Sequence, residues 1–474
     1  MTNTEKALEK EDAGASTSGR VLRKAGRLEH FFDARSRLNL TGYVVVCARY
    51  THTSGTPLSR SILFAALEHT IRNNVVLAAR FAPASPDAGV WVALPRVDLN
   101  RVVTLVDKDR ADLPTLLEEF FAQPVDFSED MPQWRLVVLR DGTMVFAYDH
   151  TVGDGQSGSA FHHNLLASLR SVHDTPSEHS GIVSSLPQDA TLTPALEDAI
   201  DTTAPFFMLA RMAVQSAFPF IDRKKGKAWS GHPLQQPVTL ITRVRLLEYT
   251  PDQALNLRKV SRDHKATLTS TVHTLALIIL SRLIYAQPAN KKYKHIHTYI
   301  PMSIRRFTGA PPSAICNHVS VHNTYHALFR PAPGPTISEE TFPWDRAAAL
   351  TATLRRKLPK SPREIGLFKY LSGKYTEYLV GRLSKPRTAG LEVSNLGAFP
   401  EPPTKEGDDI QWRIEEMFFV QADATLGAAV KVNPVGNAAG GLGISITWGE
   451  GAVDDEFAEE FVKAFDEGLR TLAQ

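Results

Sequence analysis

Three observations predict an α+β fold in which helices cover mixed β-sheets. Strand-like segments of apolar, β-branched or aromatic residues, such as 134–139 and 143–148, alternate with segments of helical periodicity, such as 113–121. A chain of 474 residues is long enough for two domains with substantial cores. Residues 171–194 are rich in Ser, Thr, Pro, His and Asp without apolar periodicity, which is typical of a connection between domains.

The first half of the chain combines predicted strands with two helices. A helix over 58–81 places its apolar residues on one face, and Thr56 and Pro57 are suitable starting residues. Asp141 and Gly142 predict a tight hairpin turn. The predicted strands cover 41–50, 90–94, 101–106, 134–139 and 143–148, and the second helix covers 113–121.

The second half has a similar order of strand, helices and strands. Residues 269–285 are strongly apolar and predict a buried helix, and the closing helix has phenylalanines 457, 461 and 465 on its core face. The predicted strands cover 238–246, 295–300, 390–397, 417–420, 429–432 and 442–448, and the helices cover 251–264, 269–285, 344–357, 368–383 and 454–472.

Composition narrows the class of protein. A net charge of +2 argues neither for nor against nucleic-acid binding, but no basic stripe interleaved with aromatic residues is present, so we expect no nucleic-acid partner. Two cysteines, Cys47 and Cys316, cannot build a disulfide framework, so we expect a reducing, cytoplasmic location. The first 20 residues are charged and rich in Ser, Thr and Gly, which predicts a disordered tail rather than a signal peptide.

No apolar run is expected to reach the roughly 18–20 residues of a membrane span. The nearest candidate is 204–221, which Arg211, Gln215 and Pro219 interrupt. We predict a core or tunnel-lining helix there, and an interfacial membrane helix is the alternative. The short basic segment 223–227 is predicted to be a surface loop, with contact to the phosphate groups of a ligand as its alternative.

The candidate functional stretch begins at His150, directly after the predicted strand 143–148. Asp154 and Gly155 follow in a predicted turn, and a helix then begins, with Ser157 or Ser159 as its expected cap. A strand end, a tight turn and a helix make a rigid mount for one reactive side chain.

Two known motifs match this stretch only in part. Gly153, Gly155 and Gly158 spell GxGxxG, but no second strand ending in an acidic residue follows about 20 positions later, as a dinucleotide site requires. Ser157 resembles the centre of a nucleophile elbow, yet Ser159 stands where GxSxG needs a glycine. Neither motif is therefore our interpretation.

Two other interpretations concern His150 and Asp154 directly. A metal pair at i and i+4 needs a helix through 151–153, whose residues are poor helix formers. A lone histidine that ends a strand is usually structural, but the Asp-Gly at a fixed offset and the strand–turn–helix context favour a catalytic base. The pattern is HxxxDG, with His150 as base, Asp154 holding the turn and Gly155 giving the turn its backbone conformation.

HxxxDG after an apolar strand resembles the signature of the chloramphenicol acetyltransferase-like superfamily, which includes the plant BAHD acyltransferases and condensation domains. Further segments make the chain similar to the fungal alcohol acetyltransferases of secondary metabolism: RLEHFFDAR (27–35), RY (49–50), IPMSIRR (300–306), CNH (316–318) and VSNLG (393–397). The likeness runs over roughly residues 20–470 in the family's order. Asp149 departs from it, because many members have a first histidine there.

The resemblance implies two chloramphenicol acetyltransferase-like sandwich domains, each a mixed sheet flanked by helices, with an active-site tunnel between them. The expected limits are a tail over 1–20, an N-terminal domain over 21–185, a crossover and helical connection over 186–235, and a C-terminal domain over 236–474. In related condensation domains the region of helix 58–81 supplies an arginine for the turn aspartate. Arg72 and Arg80 are the candidates here, and the partner of Asp154 stays open.

The resemblance also implies substrate-binding residues. Asn317, His318 and His322 fall in a stretch that lines the substrate channel of family members, and Ser394 or Asn395 is the candidate donor to an oxyanion. Histidines 318, 322 and 326 would form a metal-binding face on a helix, but the alternation of residues 318–325 predicts a strand, so we expect no metal.

The implied activity is transfer of an acyl group, acetyl above all, from acetyl-CoA to an alcohol. We expect no bound cofactor, acyl-CoA as co-substrate, a small-molecule alcohol as acceptor, a monomer, no transmembrane segment and at most peripheral membrane contact. Two alternatives stay open: a condensation-type enzyme that uses a carrier-bound acyl donor, and a non-catalytic binding protein. The chemical class of the acceptor is also open, because alcohols and amines both suit a histidine base.

Overall fold

The computed structural model describes residues 19–85, 88–172, 179–184, 186–217, 224–234, 238–329, 337–371, 373–383, 385–403, 411–422 and 425–474. The tail predicted for 1–20 therefore lies outside the described residues, apart from its last two. Helices and mixed sheets alternate along the chain, which confirms the predicted α+β class.

The first part of the chain, as far as residue 217, contains both strands and helices. In order it forms β1 (Val21–Lys24), α1 (Arg27–Arg37), β2 (Val44–His52), α2 (Arg60–Asn73), β3 (Ala79–Ser85), β4 (Ala88–Ala93), β5 (Arg96–Asp98), α3 (Leu99–Val102), β6 (Val103–Val106), α4 (Leu113–Phe121), β7 (Trp134–Leu139), β8 (Thr143–Tyr148), α5 (Gly155–Ser171), β9 (Ile182–Ser184), α6 (Leu196–Ala199) and α7 (Phe206–Ala217).

The second part begins with a two-residue strand and closes with a long helix. In order it forms β10 (Ala228–Trp229), β11 (Thr242–Tyr249), α8 (Pro251–Asp263), α9 (Leu268–Ala286), β12 (His295–Ser303), α10 (Arg305–Thr308), β13 (Val319–Ala327), α11 (Trp344–Lys357), α12 (Pro362–Ile365), α13 (Tyr375–Val380), β14 (Ala389–Val393), β15 (Trp412–Gln421), β16 (Ala428–Gly436), β17 (Leu442–Gly449) and α14 (Asp455–Leu472). Short 3-10 segments lie at Val75–Ala78, Arg110–Asp112, Lys225–Lys227, Pro288–Asn290, Leu358–Lys360 and Gly366–Tyr370.

Two large sheets organise the molecule. The first has five strands in the order β15-β2-β8-β7-β6 and is antiparallel except between β6 and β7. The second has seven strands, with the path β10-β12-β14-β16-β17-β11 and β13 paired to β12. A smaller sheet, β1-β4-β3, and the pair β5-β9 complete the strand pairing in the described residues.

Strand β15 joins the two parts of the chain. It lies within the range 236–474, yet it pairs antiparallel with β2 in the first sheet, with Phe418 opposite Cys47. At the same time it packs against β17 of the second sheet, where Gly443 lies close to the backbone of Met417. The predicted domain limits stay a prediction, and the first sheet includes a strand from beyond its predicted range.

The helix that follows the candidate site is fixed tightly on the first sheet. Phe161 of α5 stacks on Phe146 of β8, with ring centroids 3.6 Å apart and 5° between the planes. Gly158 of α5 lies so close to β2 that a Cβ atom there would come within 2.3 Å of a Val46 methyl carbon. Both contacts hold the start of α5, and the turn before it, in one position relative to the sheet.

Two predicted helices are wrong in part. The helix expected over 58–81 ends at Asn73, because residues 79–85 instead pair as β3 with β4. The helix expected over 368–383 begins only at Tyr375, since Gly373 has a φ of 80°, a left-handed conformation that interrupts a helix.

The two apolar helices differ from expectation in opposite ways. Within the described part of the chain, α9 is long and apolar enough to cross a membrane, contrary to the expectation that no run reaches that length. Most of α9 is buried inside the fold, as predicted for a core helix, so this is weak evidence for a span. Conversely, the core helix predicted within 204–221 forms as α7, but Phe206 and Phe207 are exposed.

We predict that Gly443→Ala lowers the free energy of unfolding by about 1–3 kcal/mol, the usual cost of overpacking. A Cβ atom there would come within 2.0 Å of the Met417 carbonyl oxygen, and a backbone atom inside a sheet cannot move away easily. Urea unfolding of the purified variant measures the change. Gly226→Ala is the matched control, because a Cβ atom at Gly226 has no neighbour within 4 Å. Equal unfolding free energies for the two variants would contradict the close approach of β15 and β17.

Candidate active site

His150 stands directly after β8, whose six residues are all buried. Asp149 begins the turn: its backbone N–H donates to the Gln133 carbonyl at 2.9 Å, and its Oδ1 accepts from the Thr151 N–H at 2.8 Å. The side-chain amide of Asn317 donates to the carbonyls of both His150, at 2.9 Å, and Thr151, at 2.8 Å. The backbone on both sides of His150 is therefore held by hydrogen bonds.

The imidazole of His150 packs against Phe32 of α1. The two rings stack with centroids 3.7 Å apart and 15° between the planes. Nδ1 of His150 is buried and has no hydrogen-bond partner, whereas the residue as a whole keeps part of its surface accessible. This arrangement leaves Nε2 as the nitrogen that a substrate can reach.

The environment keeps His150 neutral. Burial above all, together with the positive charge of Arg35, lowers the pKa of His150 from 6.5 to about 4. The Arg35 guanidinium lies 5.9 Å from the ring centroid of Phe32, on whose ring His150 stacks. A neutral imidazole at neutral pH can accept a proton, which is what a general base needs.

Asp154 is paired with Arg305, the first residue of α10. Both side chains are buried, and the pair is bidentate, with Nη1 to Oδ2 at 2.7 Å and Nη2 to Oδ1 at 2.9 Å. Burial alone would lower the pKa of Arg305, but the charge of Asp154 raises it above its usual value. The candidates Arg72 and Arg80 are not the partner of Asp154. Arg72 pairs with Glu68, and Arg80 lies 4.0 Å from Glu129.

Further hydrogen bonds occupy the carboxylate of Asp154. Oδ1 accepts from the Ser157 backbone N–H at 3.2 Å, and Oδ2 accepts from the His318 backbone N–H at 3.1 Å. Asp154, and not Ser157 or Ser159, is therefore the N-cap of α5. With both oxygens committed to protein groups, Asp154 shapes the site rather than meeting a substrate.

Gly155 has a different physical role from the expected one. It is the first residue of α5 and is not in the left-handed region, so the turn does not need glycine for its backbone conformation. A Cβ atom at Gly155 would instead come within 2.9 Å of both Leu396 and Phe419. Glycine is needed because another part of the chain packs directly against the helix start.

The structure places Asn317 and His318 beside the turn that carries His150 and Asp154, and the His318 backbone N–H donates to Asp154. The ring nitrogens of His318 contact the Thr308 hydroxyl at 2.8 Å and the Pro194 carbonyl at 3.1 Å. His322 lies four residues farther along β13, roughly 13 Å away at strand spacing. Its Nε2 atom is buried without a hydrogen-bond partner.

Ser394 and Asn395 lie on a loop after β14 that reaches the start of α5, where Gln156 donates to the Leu396 carbonyl at 2.6 Å. The Asn395 amide donates to Thr269 at 3.0 Å, and its oxygen accepts from the Gly397 N–H at 2.7 Å. The assignment of these loop residues, and of Asn317, His318 and His322, to substrate binding stays a prediction.

Sequence reasoning missed three functional features of this site. Phe32 and Arg35 belong to the motif at 27–35, and Arg305 to the motif at 300–306, but no role was inferred for them. The available signal for Arg305 was its position after a strand, with a second arginine, Arg306, beside it. Only contact in three dimensions distinguishes the buried arginine of that pair from its neighbour.

Metal binding has no geometric support in the described residues. No group of three or more His, Cys, Asp or Glu side chains there could hold a metal ion. The three histidines at 318, 322 and 326 lie on and just before strand β13, so the helical metal face considered for them does not form.

Known proteins match this chain along most of its length. The alcohol acetyltransferase family model matches residues 114–469. The chain is 28% identical to an uncharacterised protein of Schizosaccharomyces pombe, over 95% of this chain and 97% of that protein. It is 24% identical to the probable alcohol acetyltransferase crmB of Aspergillus fumigatus, over 91% of this chain and 96% of that protein.

Among solved structures, TRI3 trichothecene 15-O-acetyltransferase from Fusarium sporotrichioides superposes with a TM-score of 0.70. The two proteins share 12% sequence identity, and the match covers 96% of this chain and 97% of the other. At 12% identity, this structural similarity shows a shared fold. It confirms the predicted pair of chloramphenicol acetyltransferase-like sandwiches.

We predict that Asp154→Asn lowers the free energy of unfolding by about 3–5 kcal/mol, because it leaves the buried Arg305 charge without its counter-ion. Denaturant unfolding of the variant and the native protein measures this. Asp107→Asn is the matched control, since Asp107 pairs with Arg140 at an exposed position where an ion pair contributes little. A variant that unfolds like the native protein but has no activity would instead indicate that Asp154 takes part in the chemistry.

Proposed function

Because this chain belongs to the alcohol acetyltransferase family, we propose that it transfers an acyl group, acetyl above all, from acyl-CoA to the hydroxyl of an alcohol. The protein is an acyltransferase. The donor, the acceptor and the base are our proposal. One observation carries the choice of base: the imidazole of His150 stacks on Phe32 at a strand end, where Asn317 holds the His150 backbone.

The proposed reaction needs one base and no covalent enzyme intermediate. Nε2 of His150 takes the hydroxyl proton while the alcohol oxygen attacks the thioester carbonyl carbon, which gives a tetrahedral intermediate with a negative oxygen. When the intermediate collapses, the C–S bond breaks and the CoA thiolate leaves. His150 returns its proton to that sulfur, so the products are an ester and the CoA thiol.

The negative oxygen of the intermediate needs a hydrogen-bond donor. Of the two candidates on the loop after β14, Asn395 uses its amide on Thr269 and its oxygen on Gly397. Ser394 is buried, and its backbone N–H donates to the Val432 carbonyl at 3.0 Å. We therefore prefer the Ser394 hydroxyl as the donor.

We predict that His150→Ala lowers turnover by roughly 10²–10⁴, the usual contribution of a general base. The measurement is release of CoA thiol from acetyl-CoA in the presence of a panel of alcohols and amines, with product masses identifying the acceptor. His232→Ala is the control, because that histidine lies at the surface beside Asp454.

Each outcome of this assay has a clear consequence. Acceptor-dependent release that is lost only in His150→Ala supports the proposal. Retention of native turnover in that variant would overturn the base assignment. If a carrier-bound acyl group supports turnover and none of the acyl-CoA donors does, the condensation-type reaction is favoured instead.

The acid side of the pH profile tests the state of His150. Since its pKa lies near 4 rather than 6.5, we predict that kcat/KM stays constant as pH falls through 6.5 and declines only below about 5. An acid limb with a midpoint near 6.5 would show that the base is not buried as described.

The lowered pKa of His150 also makes the free energy of unfolding depend on pH. The lowered pKa means that the unfolded chain binds a proton between pH 6.5 and about 4 while the folded protein does not, so folding weakens over that interval as pH falls. His150→Gln removes this contribution and should therefore lose less stability than the native protein between those two pH values. Denaturant unfolding at both pH values measures the difference.

A further inference from the structure

Helix α7 is apolar but lies on the surface. Phe206 is 84% exposed, Phe207 69% and Val214 47%, and the two phenylalanines are the most exposed large apolar side chains among the described residues. A globular protein places isolated apolar residues at its surface, but two adjacent phenylalanines on one helix are an unusual arrangement.

The exposed residues of α7 form one continuous stripe. Ala213 and Val214 follow Phe206 by seven and eight positions, about two helical turns, so the three side chains lie on the same side of the helix. Phe207 borders them. Arg211, also exposed, follows Phe207 by one helical turn. From 206 to 214 the stripe is about 12 Å long, a little over two helical turns.

The chain from α7 onward is basic, whereas the segment before it has acidic residues at 197, 198 and 201. Residues 203–227 contain five basic residues, at 211, 223, 224, 225 and 227, against one acidic residue, Asp222, although the whole chain has a net charge of only +2. Arg211, Lys224 and Lys227 are exposed, while Arg223 lies outside the described residues. The apolar stripe is therefore accompanied by a local positive charge.

We propose that the apolar stripe of α7, together with the exposed cations Arg211, Lys224 and Lys227, docks on an anionic lipid surface. An apolar helix stripe enters the boundary between headgroups and acyl chains, and neighbouring Lys and Arg side chains are attracted to negatively charged headgroups. A second copy of the chain is a poorer occupant, because a symmetric contact through α7 would bring the two basic segments together. An apolar partner protein would leave the positive charge without a counterpart.

The docked helix is connected to the interior of the site. Residues just before α7 pack inward: Ile200 contacts a buried apolar cluster that includes Phe32, the residue stacked on His150. The Thr202 carbonyl lies so close to Gly366 that a Cβ atom there would have no room. The segment that leads into the proposed lipid-binding stripe therefore packs next to the apolar residues around His150. The proposed docking does not depend on the reaction proposed for the site.

The test is co-sedimentation of the full chain with vesicles of phosphatidylcholine alone and with about one-third phosphatidylserine. We expect binding to the anionic vesicles that decreases at high salt. Phe206→Ser/Phe207→Ser should reduce the partition coefficient by roughly tenfold or more. Arg211→Gln and Lys224→Gln/Lys227→Gln should reduce it by about fivefold for each charge removed.

The matched control is Leu105→Ser/Leu255→Ser, which removes two apolar residues that are 55% and 51% exposed on other elements. It should bind vesicles like the native protein. The thermal unfolding midpoint of each variant confirms that it is folded, and release of CoA thiol with a water-soluble alcohol should stay unchanged.

Four results would overturn the proposal. They are absence of vesicle binding by the native protein, equal binding to neutral and anionic vesicles, native binding by the phenylalanine variant, and equal loss in the control. A dimer in light scattering that dissociates only in the phenylalanine variant would show that a second copy covers the stripe.

Discussion

The buried pair between Asp154 and Arg305 is the interaction on which the rest of the site depends. The two residues are 151 positions apart, and they join the helix start after β8 to the chain after β12. A buried ion pair is stable only when further hydrogen bonds compensate for the lost hydration of both charges. Here the backbone N–H groups of Ser157 and His318 supply them on the carboxylate side, and the Cys316 carbonyl accepts from Arg305 at 3.1 Å.

This pair also explains why the residues around 314–318 matter to the site. The Cys316 carbonyl accepts from both Ser157 and Arg305, so the segment wraps around the ion pair. The next residue, Asn317, is then in place to hold the backbone of His150 and Thr151. The backbone of the proposed base is therefore positioned by a network that spans both halves of the chain.

The ring of His150 is controlled by packing instead. Its stacking on Phe32 and its buried Nδ1 atom favour the neutral imidazole. The positive charge of Arg35 also disfavours the protonated imidazolium. Asp149 stands where many family members are expected to have the first histidine of the motif, and here it holds the turn through Thr151. Support of the turn and the proposed proton transfer are thus assigned to different residues of the same short stretch.

Much of the fold and part of the site could be predicted from the sequence, because the deciding information there is local. Periodicity identified most strands of the two large sheets and the long helices, but not the short strands 21–24, 96–98, 182–184 and 228–229, and it placed a strand over 101–102, where helix α3 ends. The strand–turn–helix pattern singled out His150 and Asp154 and led to the family. Two helix boundaries could not be read in this way. Strand pairing took residues 79–85 from one helix, and the left-handed Gly373 shortened the other.

Only the tertiary structure decided which distant groups meet. Arg305 rather than Arg72 faces Asp154, Phe32 covers His150, and β15 joins the first sheet from late in the chain. It also decided that the apolar helix α7 lies at the surface, while the similarly apolar α9 is buried. The physical reason is the same in each case: hydrophobic periodicity states that a residue needs a partner or a covered face, but it contains no information about which distant element supplies it.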